Sequence, residues 1–177
     1  MLDPAKEWEA IATENSSRKT VYMQFVVPLL CLITVATVIG TWLATSRELY
    51  SIGYVFCRIA VLLGSLSVGL YFSVFVIAEI MVHQVGSKRY DHAFALMAYA
   101  SGAAYFVIAI VSLFPFYNEL LILAFYSCYI YWTGIPYLIQ VKGQKQTIYT
   151  LLSFIIVAFI YLLMFFFFGN LLEAIFV

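Results

Sequence analysis

Most side chains in this sequence that could do chemistry lie close together. Glu79 and His83 are four residues apart, on one face of a helix, and Lys88, Arg89, Asp91 and His92 follow closely. Two histidines and two acids are ligand types that could hold a divalent metal. The pattern argues against one: HExxH is absent, no Cys/His zinc spacing occurs, and both histidines fall where an apolar run meets water. An ionisable group inside a membrane raises the question of a proton relay or ion path by default. Here Glu79 and Arg58 each sit near an end of the same apolar run, and no charge lies at its middle. GxSxG, P-loop and GxGxxG motifs and paired mid-helix carboxylates are also missing. The expectation is a chain with no catalytic residues, no cofactor and no metal, in which Glu79 and Arg58 serve structural ion pairing. For Glu79 the expected partners are Lys88 or Arg89, with Arg18 or Lys19 as alternatives. His83, one turn on, would then feel the same carboxylate.

The elements that carry these residues follow from composition. Of 177 residues, 65% are hydrophobic and 10% charged, against about 25% charged in soluble domains. With a mean hydropathy of +1.01, the class is an integral membrane protein. The net charge of zero leaves no electrostatic footprint for nucleic acid. Cys31, Cys57 and Cys128 are far apart, each in or beside an apolar run, and read as buried packing residues.

A hydrocarbon core about 30 Å thick needs roughly 20 apolar residues per helix. Five segments qualify: Tyr22 to Ala44, Tyr54 to Met81, Ala93 to Phe114, Leu120 to Ile139 and Thr147 to Phe168. None alternates with period two, and a backbone in lipid must satisfy its own polar groups, so all five are expected to be helices. The first is too long, and its flank too acidic, for a signal peptide, and reads as a retained span. The predicted organisation is a cytoplasmic amphipathic tail over 1–21 and a five-helix transmembrane domain over 22–177.

Lysine and arginine counts orient it. Lys6, Arg18, Lys19, Lys88, Arg89, Lys142 and Lys145 fall in segments that share one face, and Arg47 on the other, with Arg58 just inside the second span. The positive-inside rule predicts a cytoplasmic N-terminus and an outside C-terminus. Glu79 then lies within a turn of the second span's cytoplasmic end, and Asp91 is placed to cap the third.

In the tail, Asp3 and Pro4 suit a helix start, and Ala5, Trp8, Ile11 and Ala12 share one face. This predicts a short interfacial helix with Trp8 at headgroup depth. It either anchors the first span or, through Trp8 and Ile11, offers a docking face. Ser65, Gly69 and Ser73 form a smooth stripe on the second span; Ala98 with Gly102 does so on the third, predicting close packing of these two helices, with a homodimer seam as rival. Pro28 and Pro136 should kink the first and fourth spans. Tyr71, Tyr99, Tyr105, Tyr126, Tyr129, Tyr131 and Tyr161 lie within spans, implying interhelical hydrogen bonds or a partly polar cavity for a lipid or small solute.

The tail "DPAKEWEAIATE", the run "VVPLLCLITVATVIG", the hairpin "GSKRYDHAFALMAYA", the "LFP" turn and "YIYWTGIPYLIQVKGQKQ" occur in an order that resembles the Yip family, the Ypt/Rab-interacting-type five-span membrane proteins. One departure is that "YASGAAY" lacks the proline that family often places after the third-span tyrosine. The resemblance implies no catalysis and a cytoplasmic N-terminus. Eukaryotic members resemble adaptors in vesicle traffic. The tail here is short, which suggests a bacterial inner-membrane member, with a Golgi or ER membrane as the alternative; GTPase binding is not carried over. The expected function is a membrane scaffold or adaptor whose partner-binding face holds Trp8, Ile11, Lys88, Arg89, Lys142 and Lys145. Expected partners are membrane lipids, a cytoplasmic protein, and a second copy or other membrane proteins. The alternative is a small transporter or lipid-handling protein using a Tyr-lined cavity between kinked helices.

Overall fold

The computed structural model describes residues 4–14, 17–44, 52–80, 89–114, 116–138 and 144–176. Every element among them is a helix. A short α1 (Pro4–Glu14) precedes α2 (Arg18–Val21), which runs through a π-helical turn (Tyr22–Val26) into α3 (Val27–Ala44). Then come α4 (Ile52–Ile80), α5 (Arg89–Leu113), a 3₁₀ segment (Asn118–Phe125) leading into α6 (Tyr126–Leu138), and α7 (Gln144–Phe176). Five stretches are long and apolar enough to cross a membrane: Arg18–Leu43, Val55–Glu79, Tyr90–Leu113, Asn118–Leu138 and Thr150–Phe168.

The first span starts at Arg18, earlier than its apolar run suggests, because Ser17 provides an N-cap. Its Oγ accepts from the Thr20 amide at 3.3 Å and lies 3.0 Å from Thr20 Oγ1, satisfying donors that a helix start leaves open. Pro28 acts about three turns downstream of that start. Its ring lacks an N–H and crowds the carbonyl four residues back. The disturbance takes the form of the π turn, where the Val27 amide bonds back to the Tyr22 carbonyl. Pro136 falls two residues before the end of α6, and the irregular part of the fourth span is its other end. There eight residues run as 3₁₀ helix, longer than the usual three or four. Polar side chains inside the first span are locally satisfied: Thr34, Thr37 and Thr41 donate to the carbonyls of Leu30, Ile33 and Thr37 at 2.8, 2.8 and 2.6 Å.

α5 is the hub, packed against α3, α4 and α6, while α7 leans mainly on α4. The reason is visible at the glycines. A Cβ on Gly40 would fall onto the Ser112 carbonyl, so α3 and α5 meet backbone to backbone. At Gly102 a Cβ would meet the Phe25 ring at 2.6 Å, at Gly69 the Tyr161 ring at 2.9 Å, and at Gly134 the Trp8 ring at 2.8 Å. Lipid is as apolar as leucine, so helices associate in a membrane through close packing; at Gly69, Gly102 and Gly134 that packing seats an aromatic ring on a glycine.

This corrects the expectation for the small-residue stripes. Ser65, Gly69 and Ser73 are buried, as are Ala98 and Gly102. Gly69, however, receives Tyr161 of α7, and Gly102 receives Phe25 of the first span. The two glycines do not seal α4 against α5. A stripe identifies a close approach but carries no address for the partner. The cysteines are corrected too: all three are free, Cys31 is exposed on the bundle's outer surface, and Cys57 and Cys128 are half-buried.

Candidate functional site

Two places gather polar or aromatic groups. The first is the end of the bundle where α1 docks. Trp8 is 3% exposed. Its Nε1–H donates to Thr133 Oγ1 at 3.2 Å, its ring meets Tyr99 edge-on at 6.3 Å, and Tyr99 in turn contacts Phe25 at 4.8 Å. Trp8 is therefore buried in protein and does not lie on the exposed, partner-facing surface that its sequence position suggested. Gly134 leaves a seat for the indole on α6, and Thr133 satisfies its donor, so burial in protein replaces the wet interface a Trp otherwise prefers. Ile11 and Ala12 are half-buried against the same core. Glu7, Glu9, Ala10 and Thr13 form the exposed side of α1.

Beside this helix, Arg18 Nε lies 2.7 Å from Asp91 Oδ1, and its guanidinium sits 5.9 Å from the centre of the Tyr90 ring. Tyr90 Oη donates to Glu79 Oε1 at 2.7 Å. Asp91 does not cap α5, which begins at Arg89; it lies in the first turn, where its charge still suits the helix dipole while it holds Arg18. Glu79 is exposed and tied to α5 through Tyr90. Lys88, Lys142 and His83 lie outside the described residues, and for Arg89 and Lys145 only the helical backbone is described. Arg58 is half-buried and makes no ion pair with another described residue; Glu48, the acid nearest in sequence, lies outside them. Among the described residues no three His, Cys, Asp or Glu side chains converge. His92 Nδ1 is buried without a hydrogen-bond partner among them.

The second place is a cavity of about 320 Å³ at mid-span, between α5, the fourth span and α7. Tyr105, Tyr131 and Tyr161 line it. Their hydroxyls are paired with protein. Tyr105 Oη donates to the Leu66 carbonyl at 2.9 Å and lies 3.2 Å from Tyr161 Oη, so Tyr161 is left as the donor between the two. Tyr131 Oη donates to Ser153 Oγ at 2.9 Å, which donates to the Thr150 carbonyl at 3.1 Å. Ser127 Oγ accepts from the Ala104 amide at 2.8 Å. The two readings of the tyrosines thus meet in the same residues, which are interhelical ties and also the cavity wall. Tyr126, Tyr129 and Trp132 take no part, being exposed on the outer face, with Tyr126 and Tyr129 stacked at 5.7 Å. Sequence reasoning missed Trp8's seat and the Arg18–Asp91 pair, whose partners are distant in the chain.

Together these features define an all-helical, five-span integral membrane protein with a short N-terminal helix folded against the bundle. The family model described as the Yip1 domain matches residues 1–166, and the chain belongs to that family. No match was found among curated proteins or solved structures.

Proposed function

We propose that this protein is a non-enzymatic membrane scaffold or adaptor whose working surface is the face bearing α1. The observation that supports this most is the docking of α1. Trp8, sunk between α5 and α6, fixes a helix whose outward side carries Glu7, Glu9 and Thr13. A helix held this way presents polar groups in a set geometry, which lowers the ordering cost of binding a partner. The partner surface is accordingly this outer side of α1, with Arg89 and Lys145 from the first turns of α5 and α7 and with Lys88 and Lys142, which precede them in sequence, in place of Trp8 and Ile11. The one-sided lysine and arginine distribution supports a cytoplasmic location for this face and an outside C-terminus.

A photoreactive residue at Glu9 tests the reading in cells. We expect a recurrent adduct with one cytoplasmic protein, lost when Trp8→Ala releases α1. Absence of any adduct at Glu9 and at Thr13 overturns it. Orientation is checked with single cysteines at Lys142 and Glu173 in a cysteine-free background. Labelling of both from the same side of the membrane would remove the five-span topology.

A further inference from the structure

We propose that the mid-span cavity is a binding site for one acyl chain of a membrane lipid. This goes beyond the adaptor reading and is independent of it, because it concerns the interior of the bundle and not the face bearing α1.

The walls set the chemistry. They are almost entirely apolar, and the hydroxyls of Tyr105, Tyr131 and Tyr161 each have a protein partner. A polar solute would find few free groups to replace its water, and water itself needs two to four polar partners to occupy a cavity. The sequence-based expectation of a partly polar cavity is thus replaced by a hydrocarbon one. The size matches a single chain. A volume of about 320 Å³ stands at the low end of the roughly 300–1,000 Å³ of small-ligand sites. Along α5 the wall runs from Met97 to Ile108 and along α7 from Phe154 to Phe165. At about 1.5 Å per residue that is a depth of about 16 Å, close to half of a hydrocarbon core about 30 Å thick.

The entrance decides the source. Leu121 and Phe125 on the 3₁₀ segment, and Ala158 and Phe165 on α7, line the cavity and are also exposed on the outer surface of the bundle. The mouth is therefore continuous with the lipid-facing surface, within spans that cross the hydrocarbon. An unfilled apolar void forfeits dispersion contacts on its lining, and the nearest matter able to restore them is a neighbouring acyl chain. The 3₁₀ wall contains no buried side chain among its eight residues, so its leucines and phenylalanine can turn aside for a chain without opening the core.

The test uses the full-length protein in phosphatidylethanolamine vesicles doped with a phosphatidylcholine carrying a diazirine at the end of one acyl chain. After irradiation, adducts are mapped by peptide mass spectrometry. We expect adducts on the inner wall, at Tyr105, Ile108 or Tyr161, in addition to those on the outer face at Leu162 and Phe166. Ala158→Trp, at an exposed position, should plug the mouth and lower the inner-wall adducts several-fold while leaving the outer-face adducts unchanged. Ala124→Phe plugs from the opposite wall and serves if Ala158→Trp fails to fold. Adducts confined to the outer face of the unaltered protein overturn the proposal. So do inner-wall adducts that both plugs leave unchanged, and so does cross-linking of a second copy of the chain across the mouth.

Discussion

The third span and the last are both strongly apolar and end in opposite surroundings. Over its most apolar window the third is 61% buried, while the last, which is the more apolar, is 11% buried. In water the more apolar helix would take the centre. In a bilayer apolarity separates helix from water and does nothing to separate helix from lipid. The difference lies in side-chain size. The third span reads "AFALMAYASGAAYF", so its backbone can be approached on several sides. The last reads "SFIIVAFIYLLMFFFF" and presents Ile155, Phe159, Leu162, Phe165 and Phe166 outward. Among the features that hold α7 along α4 and the cavity wall are Tyr161 on Gly69, Phe168 beside Gly64, the Tyr161–Tyr105 contact, and Ser153 under the Tyr131 hydroxyl.

The sharpest way to break this comparison is to thicken the backbone contact of the hub. Gly40→Leu places a side chain where the Ser112 carbonyl already sits. We expect a loss of about 3 kcal/mol or more, read as detergent unfolding, whereas Gly53→Leu, at an exposed position, leaves the transition nearly in place. Gly69→Leu should fall between, because Tyr161 can swing away while a carbonyl cannot. Equal transitions for Gly40→Leu and Gly53→Leu would show that close approach does not set burial.

Matched leucine truncations probe the two spans directly. Leu96 is 0% and Leu162 67% exposed. Leu96→Ala should cost about 2–5 kcal/mol through the cavity it leaves. Leu162→Ala should stay within about 0.5 kcal/mol, since lipid fills the space. Similar losses in the same unfolding assay would mean that α7 is as much a part of the core as α5.

The smallest effect is expected at the end of the hub. Arg18 and Asp91 are 57% and 40% exposed, so their ion pair is screened, and Arg18→Gln should cost about 0–1 kcal/mol. Hydrogen exchange of the first turns of α2 and α5 would report it. A global shift in unfolding would instead give that exposed pair a share in holding the hub together.

The number and limits of the spans were legible in the sequence to within a few residues, because desolvating a backbone demands long apolar helices. The exceptions had local causes: Ser17's cap moved the first start back to Arg18, and the fourth span opened as 3₁₀ helix. At the candidate surface, the sequence singles out Trp8 together with Ile11 as facing headgroups or a partner, and Trp8 is buried in protein instead. Its spacing with Ile11 and Ala12 shows one apolar face, but the same face suits lipid headgroups and a seat at Gly134, which is more than a hundred positions away. The tyrosines were legible as a group. Which three would line the cavity was not, since Tyr129 and Tyr131 are only two positions apart in one helix and point to lipid and core respectively.

The sequence by itself determined a five-span helical membrane protein with a short amphipathic N-terminal helix, and it located the close approaches at Gly69 and Gly102 but not those at Gly40 and Gly134. Those conclusions rest on free energies of transfer and on backbone hydrogen bonding, which are properties of segments. Only the tertiary structure decided which neighbour each glycine received, that Trp8 is buried in protein, and that a cavity opens between the fourth and fifth spans. These depend on pairwise fit between surfaces equally at home in lipid, and hydrophobicity does not distinguish one such pairing from another.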